Sequence, residues 1–175
     1  MPSSPHPQTT IILVRHLPPD PGATQPDKQQ LSYVLRSMRR YPVARVYSSD
    51  LNRGVETAAV LAQELRVPHE TRSALREFPT NTAVSPPAIS GGVAMQPVDQ
   101  PTFDLLEKNV AQALDEIAAR GEGSCSIVVA HSGSIRAGIR HLLELPLSSY
   151  ELNPISYAGF VVLTKDERGS WRTAG

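Results

Sequence analysis

Ile11-Ile12-Leu13-Val14-Arg15-His16 is the stretch from which the rest of the chain can be read. Four consecutive aliphatic residues, three of them β-branched, predict a short strand buried on both faces. The run stops at a cation and an imidazole. Pro18 and Pro19 then bar both continued pairing and an immediate helix. In an open α/β sheet, ligands bind just beyond the carboxyl ends of the strands, so Arg15 and His16 stand where chemistry is usually placed.

Two further segments repeat that design. Val43-Ala44-Arg45-Val46-Tyr47 predicts a second strand, delivering the chain to Ser48-Ser49-Asp50, which reads as a helix start. The following helix keeps Leu51, Val55, Ala58, Ala59, Ala62 and Leu65 inward and carries Arg53 in its first turn. Ile127-Val128-Val129-Ala130 predicts a third strand ending on His131, with Ser132-Gly133 opening another helix. One strand ending on polar residues is ordinary. Three that hand over to Arg15 and His16, to Ser48 and then Arg53, and to His131 converge on one rim if the strands are parallel neighbours.

The remaining pattern is consistent with one domain over 1–175. Asp27 can cap a helix bearing Leu31, Val34, Leu35 and Met38, which Pro42 ends. A helix from about Thr102 turns Leu106, Val110, Ala113, Leu114 and Ile117 inward and stops at Gly121. Ile155–Thr164 and Ser170–Thr173 flank Lys165-Asp166-Glu167-Arg168-Gly169, a hairpin signal. Strand and helix alternate, which predicts a three-layer α/β/α sandwich around a mostly parallel sheet. Residues 78–98 hold no Asp, Glu, Lys or Arg but several prolines and glycines, so 78–101 is expected to be an irregular, lid-like loop.

Composition narrows the partners. The 17 basic and 17 acidic residues cancel, so no long-range field favours nucleic acid or a membrane surface. The N-terminus has no secretory pattern and no apolar run is long enough to span a bilayer, which sets a cytoplasmic location as the expectation. Cys125, alone, lies in an aliphatic run and reads as a small core residue. His6, His69 and His141 read as structural or surface residues. Monomer and homodimer both remain open.

Arg53 is the informative residue. A cation in a helix's first turn opposes the macrodipole, a cost of about 0.3–1 kcal/mol that reverses when an anion sits there. With Arg15, His16 and His131 nearby, a phosphate pocket explains it better than a solvated surface arginine. A neutral imidazole can attack phosphorus while arginines spread the charge of the oxygens. No His-x-His, His-Glu-x-x-His or cysteine pair suggests a metal, and no glycine-rich loop suggests a nucleotide. Neither metal nor other cofactor is expected.

Leu13-Val14-Arg15-His16, Ser48-Ser49-Asp50-Leu51-x-Arg53-x-x-x-Thr57-Ala58 and Val129-Ala130-His131-Ser132-Gly133-x-Ile135-Arg136 resemble the three signature segments of the histidine phosphatase superfamily, in its phosphoglycerate-mutase-like branch. The resemblance runs from residue 11 to about 164. It implies that His16 is the phosphorylated nucleophile and that Arg15, Arg53 and His131 complete the phosphate pocket. It also implies that Glu77, in Leu75-Arg76-Glu77-Phe78, is the proton donor, with Asp20 the next carboxylate to consider. Two segments depart from the family pattern. Leu17-Pro18-Pro19 replaces the usual Gly, Glu or Gln, and Thr after Arg-His, and Pro79–Pro86 replaces a Gly-x-x-Glu-Gly stretch. The expected activity is hydrolysis of a small phosphorylated metabolite. An α-ribazole phosphatase-like step of cobalamin assembly, suggested by Arg-His-x-x-Pro, is an alternative, as is a non-catalytic phosphate- or partner-binding member.

Overall fold

The computed structural model describes residues 8–18, 27–77, 100–152 and 155–174. A six-stranded sheet runs in the order β3-β2-β4-β1-β5-β6. Its strands are β1 (Thr9–Arg15), β2 (Val43–Ser48), β3 (His69–Thr71), β4 (Cys125–Ala130), β5 (Phe160–Lys165) and β6 (Trp171–Thr173). The β1–β4, β2–β4 and β2–β3 pairs are parallel. The β5 and β6 pairings are antiparallel, so the sheet is mixed with a parallel majority.

Among the described residues, four α-helices cover it: α1 (Lys28–Met38), α2 (Asn52–Leu65), α3 (Gln100–Arg120) and α4 (Ser132–Leu142). Alternation along β1 divides the core. Ile11 and Leu13 point into one layer with Phe103, Leu114, Ile117, Ile135 and Ile139. Ile12 and Val14 point into the other with Val34, Met38, Ala58 and Leu61. Every residue of β4 is buried, as a strand sandwiched between two helical layers must be. Cys125 belongs to this interior, where burial pushes its thiol up to about 12 and leaves it inert at neutral pH. Among the described residues, no helix is long and apolar enough to cross a membrane.

Several boundaries differ from the expectation. Asp27 caps α1 as read, its carboxylate accepting from the Gln30 amide at 2.8 Å. Asp50 does not cap α2. The N-cap is Leu51 with no side-chain bond, because Asp50 pairs instead with Arg76 through two contacts of 2.6 Å. Helix α3 begins at Gln100, so the last two residues assigned to the lid-like loop are helical. The rest of that loop, 78–99, and Pro19–Pro26 with Asp20 lie outside the described residues.

The final hairpin starts at Phe160 rather than Ile155, because a turn at 156–159 reverses the chain first. Ala158 there takes a φ of 60°, and the Gly159 amide bonds the Ser156 carbonyl at 2.9 Å. At the other end, Asp166 accepts from the Arg168 and Ser170 amides at 2.9 Å each, and Gly169 supplies the left-handed turn.

Candidate active site

Parallel register brings the three signature strand ends together. Arg15 lies opposite Ala130, and Ser48 opposite Val129, so the residues following β1, β2 and β4 emerge side by side. Backbone bonds tie them: the His16 amide to the Ala130 carbonyl at 3.0 Å, and the Ser49 amide to Val129 at 3.1 Å. His16 and His131 face each other with ring centroids 5.0 Å apart, and both are buried. Arg53 reaches into this group from the first turn of α2, its Nε donating to His131 Nδ1 at 3.3 Å.

The hydrogen-bond network assigns the tautomers. His16 Nδ1 lies 3.0 Å from the Leu17 carbonyl, which can only accept, so Nδ1 carries the proton. The lone pair is on His16 Nε2. His131 Nδ1 accepts from Arg53, so its proton is on Nε2, which donates to Ser49 Oγ at 2.6 Å. Ser49, read only as part of a helix start, is thus a member of the site. A Cβ at Gly54 would lie 2.5 Å from the Ser49 hydroxyl, so glycine is what leaves room for this bond. Its neighbour Ser48 turns away, accepting from His69 Nε2 at 2.8 Å and donating to the Ser49 carbonyl. His69 and His141, the latter paired with Asp115 at 2.9 Å, stand outside the cluster. His6 lies outside the described residues.

Thr57 fixes the backbone after His16. Its buried hydroxyl accepts from the Leu17 amide at 3.1 Å and donates to the Arg53 carbonyl at 3.0 Å. Leu17 itself is buried in the α1–α2 layer, which accounts for an apolar residue at that departure from the family pattern. Glu77 approaches from the other side. Its Oε2 accepts from the Gly133 amide at 2.8 Å, in the first turn of α4 and two residues past His131. The Asp50–Arg76 pair pins the residue before Glu77 to the loop that leads into α2.

Arg15 is held unusually. Its Nη1 donates to the Ile155 carbonyl at 2.6 Å, and its guanidinium stacks on the Tyr157 ring, 4.0 Å from the centroid. Its Nε is buried without a hydrogen-bond partner among the described residues. Tyr157 also sets its edge against His16, with centroids 5.4 Å apart. Neither Ser49 nor Tyr157 was assigned to the site from sequence. Ser49 sits inside a signature segment, which was a usable signal; Tyr157 had none.

Both histidines are held neutral. His16 is lowered from 6.5 to about 4, chiefly by burial; the Leu17 bond works against this, and Arg53 and Arg15 add to it. His131 falls to about 3 through burial, then through the positive charge of His16, Arg53 and Arg15. Burial, more than the arginines, keeps the His16 imidazole unprotonated.

This has a consequence for stability. Below about pH 6.5 the unfolded chain takes up protons that the folded chain refuses. Folding stability should therefore be complete above pH 6.5 and decline as the pH falls toward about 4, by about 1–2 kcal/mol per histidine at pH 5. Urea midpoints at pH 7 and pH 5 measure it, and His16→Asn should remove about half of the contribution of the His16–His131 pair. Equal stability for wild type at the two pH values would refute the neutral, desolvated pair.

Among the described residues, no group of three or more His, Cys, Asp or Glu side chains is placed to hold a metal ion. The two guanidiniums, the neutral imidazoles and the first turns of α2 and α4 form a setting for an oxyanion.

Solved structures of other proteins share this fold. The chain superposes on YhfR of Bacillus stearothermophilus with a TM-score of 0.72 at 16% identity, covering 94% of this chain and 95% of that one. A mycobacterial glucosyl-3-phosphoglycerate phosphatase in complex with VO3 gives 0.69 at 16% identity, over 95% and 98% of the two chains. A phosphoserine phosphatase mutant from Entamoeba histolytica, in complex with phosphoserine, gives 0.67 at 18% identity, over 95% of each. No curated protein sequence matches significantly. The profile of the histidine phosphatase superfamily (branch 1) matches residues 18–83 and 89–174, which include Arg53, Glu77 and His131; Arg15 and His16 precede the match, and their placement rests on the geometry above. The chain belongs to the histidine phosphatase superfamily, branch 1.

Proposed function

We propose that the chain is a cytoplasmic, metal-independent phosphomonoesterase that hydrolyses a small phosphate monoester through a phosphohistidine on His16. The observation that carries this is the unprotonated Nε2 of a buried, neutral His16 beside His131 and two guanidiniums. The family and the phosphatases among its structural neighbours support the reaction class.

In this reading Arg15 and Arg53 hold the non-bridging oxygens. The Nε2 lone pair attacks phosphorus while the bond to the ester oxygen breaks, and Glu77 gives its proton to that oxygen. A water molecule, giving a proton to Glu77, then attacks phosphorus; the phosphorus–nitrogen bond breaks, its electron pair returns to His16 Nε2, and phosphate is freed. His131, through Arg53 and Ser49, keeps the pocket in register and remains uncharged. The neutral run at 78–98 supplies no cation for a second phosphate, which favours a monophosphate with an uncharged body.

The test is to quench turnover of a ³²P-labelled monoester and locate the label. It should reside on His16, labile in acid and stable in base, and EDTA should leave the rate unchanged. Label on a serine, or full turnover with no label trapped, would rule the mechanism out.

A further inference from the structure

We propose that Tyr157 is a positioning residue for anion capture, the face of its ring holding the Arg15 guanidinium and its edge closing the flank of His16. The inference rests on the phosphatase reading and deepens it.

Tyr157 is 46% exposed, so core burial does not account for its placement. What it does touch is the chemistry: Arg15 at 4.0 Å from its centroid and the His16 ring at 5.4 Å. The same segment grips Arg15 a second time, through the Ile155 carbonyl at 2.6 Å. That segment is itself built to a fixed shape. The Arg15 amide bonds the Gly159 carbonyl at 2.9 Å, and a Cβ at Gly159 would lie 2.8 Å from the Ser156 carbonyl oxygen. Ala158, between them, is buried in a left-handed conformation.

Two observations say why Arg15 needs such holding. Its Nε is a buried donor with no partner among the described residues, a group that calls for an anion's oxygen. The backbone after His16 offers little help, since the Leu17 amide is bound to Thr57 and Pro18 has none. Capture of an anion on this flank therefore depends on Arg15 arriving in one orientation. A guanidinium stacked over an aromatic face has that restriction imposed on it in advance.

The experiment compares wild type, Tyr157→Phe and Tyr157→Leu for calorimetric affinity toward inorganic phosphate and for kcat/KM on p-nitrophenyl phosphate. Tyr157→Leu should weaken phosphate by about 3- to 20-fold and lower kcat/KM by a similar factor. Tyr157→Phe should stay within about twofold of wild type, because the ring is retained. Leucine matching wild type overturns the proposal, and so does phenylalanine falling as far as leucine, which would make the hydroxyl the working group. If wild type binds phosphate without turnover, the phosphatase reading fails and the binding comparison still decides the role of Tyr157. If wild type does neither, both fall together.

Discussion

His16→Ala is expected to reduce hydrolysis of p-nitrophenyl phosphate by about 10⁴-fold or more, since removing a nucleophile removes the covalent route. Phosphate affinity should survive within about tenfold, because Arg15 and Arg53 supply the charge-assisted contacts. That contrast separates chemistry from binding. His16 is buried and bonds the Leu17 carbonyl, so a calorimetric phosphate titration of the variant also shows that the pocket still forms. A variant that keeps more than about a hundredth of wild-type kcat would remove His16 from the mechanism.

Glu77→Gln carries the second large effect, and it depends on the leaving group. An alkyl phosphate such as glycerol phosphate should slow by about 10²–10⁴-fold, because its departing alkoxide needs a proton. p-Nitrophenyl phosphate should slow by less than about tenfold, since its leaving group departs without one. The geometry makes this a demanding test. The Gly133 amide at the first turn of α4 holds the Glu77 carboxylate at 2.8 Å, so the variant has to keep that bond if it is to report on proton donation alone. Glutamine is the right replacement, because its amide oxygen can still accept from Gly133 and hold the segment in place. Equal losses on both substrates would make Glu77 a positioning group, and no loss on either would send the search to another carboxylate.

The parts legible in the sequence were those where one physical demand fixes both residue type and position. Aliphatic runs such as Ile11–Val14 and Ile127–Ala130 have to be buried strands, and Arg15, His16 and His131 stand at their ends. Asp27 caps α1 because its own carboxylate reaches the Gln30 amide three residues on, a contact that needs nothing from elsewhere in the chain. Asp50 carried the same local signal and failed as a cap because Arg76, 26 positions away, takes both its oxygens. His69-Glu70-Thr71 has no apolar pattern; it is a strand because it pairs with Val46–Ser48 at the sheet edge. Tyr157 was hidden for a related reason. It reaches Arg15, 142 positions earlier in the chain (157 − 15), only through the reversal at Ala158 and Gly159. Contacts made by distant segments leave no local trace.

The central position of β4 bears on how the protein acquires and loses activity. The amides of His16 and Ser49 both donate to β4 carbonyls, so the ends of β1 and β2 are clasped by a strand that enters late in the chain. During synthesis, the first two-thirds of the polypeptide can form local helices, but it has no template on which His16 and Arg53 could meet. The cluster of His16, Arg53 and His131 is therefore absent from any partly assembled chain and arises in the step that inserts β4 between its neighbours. Parallel pairing at such sequence separation is slow to nucleate, since the loops must close before their contacts are rewarded. Once closed, the same clasp means that these amides exchange with solvent only when the sheet comes apart.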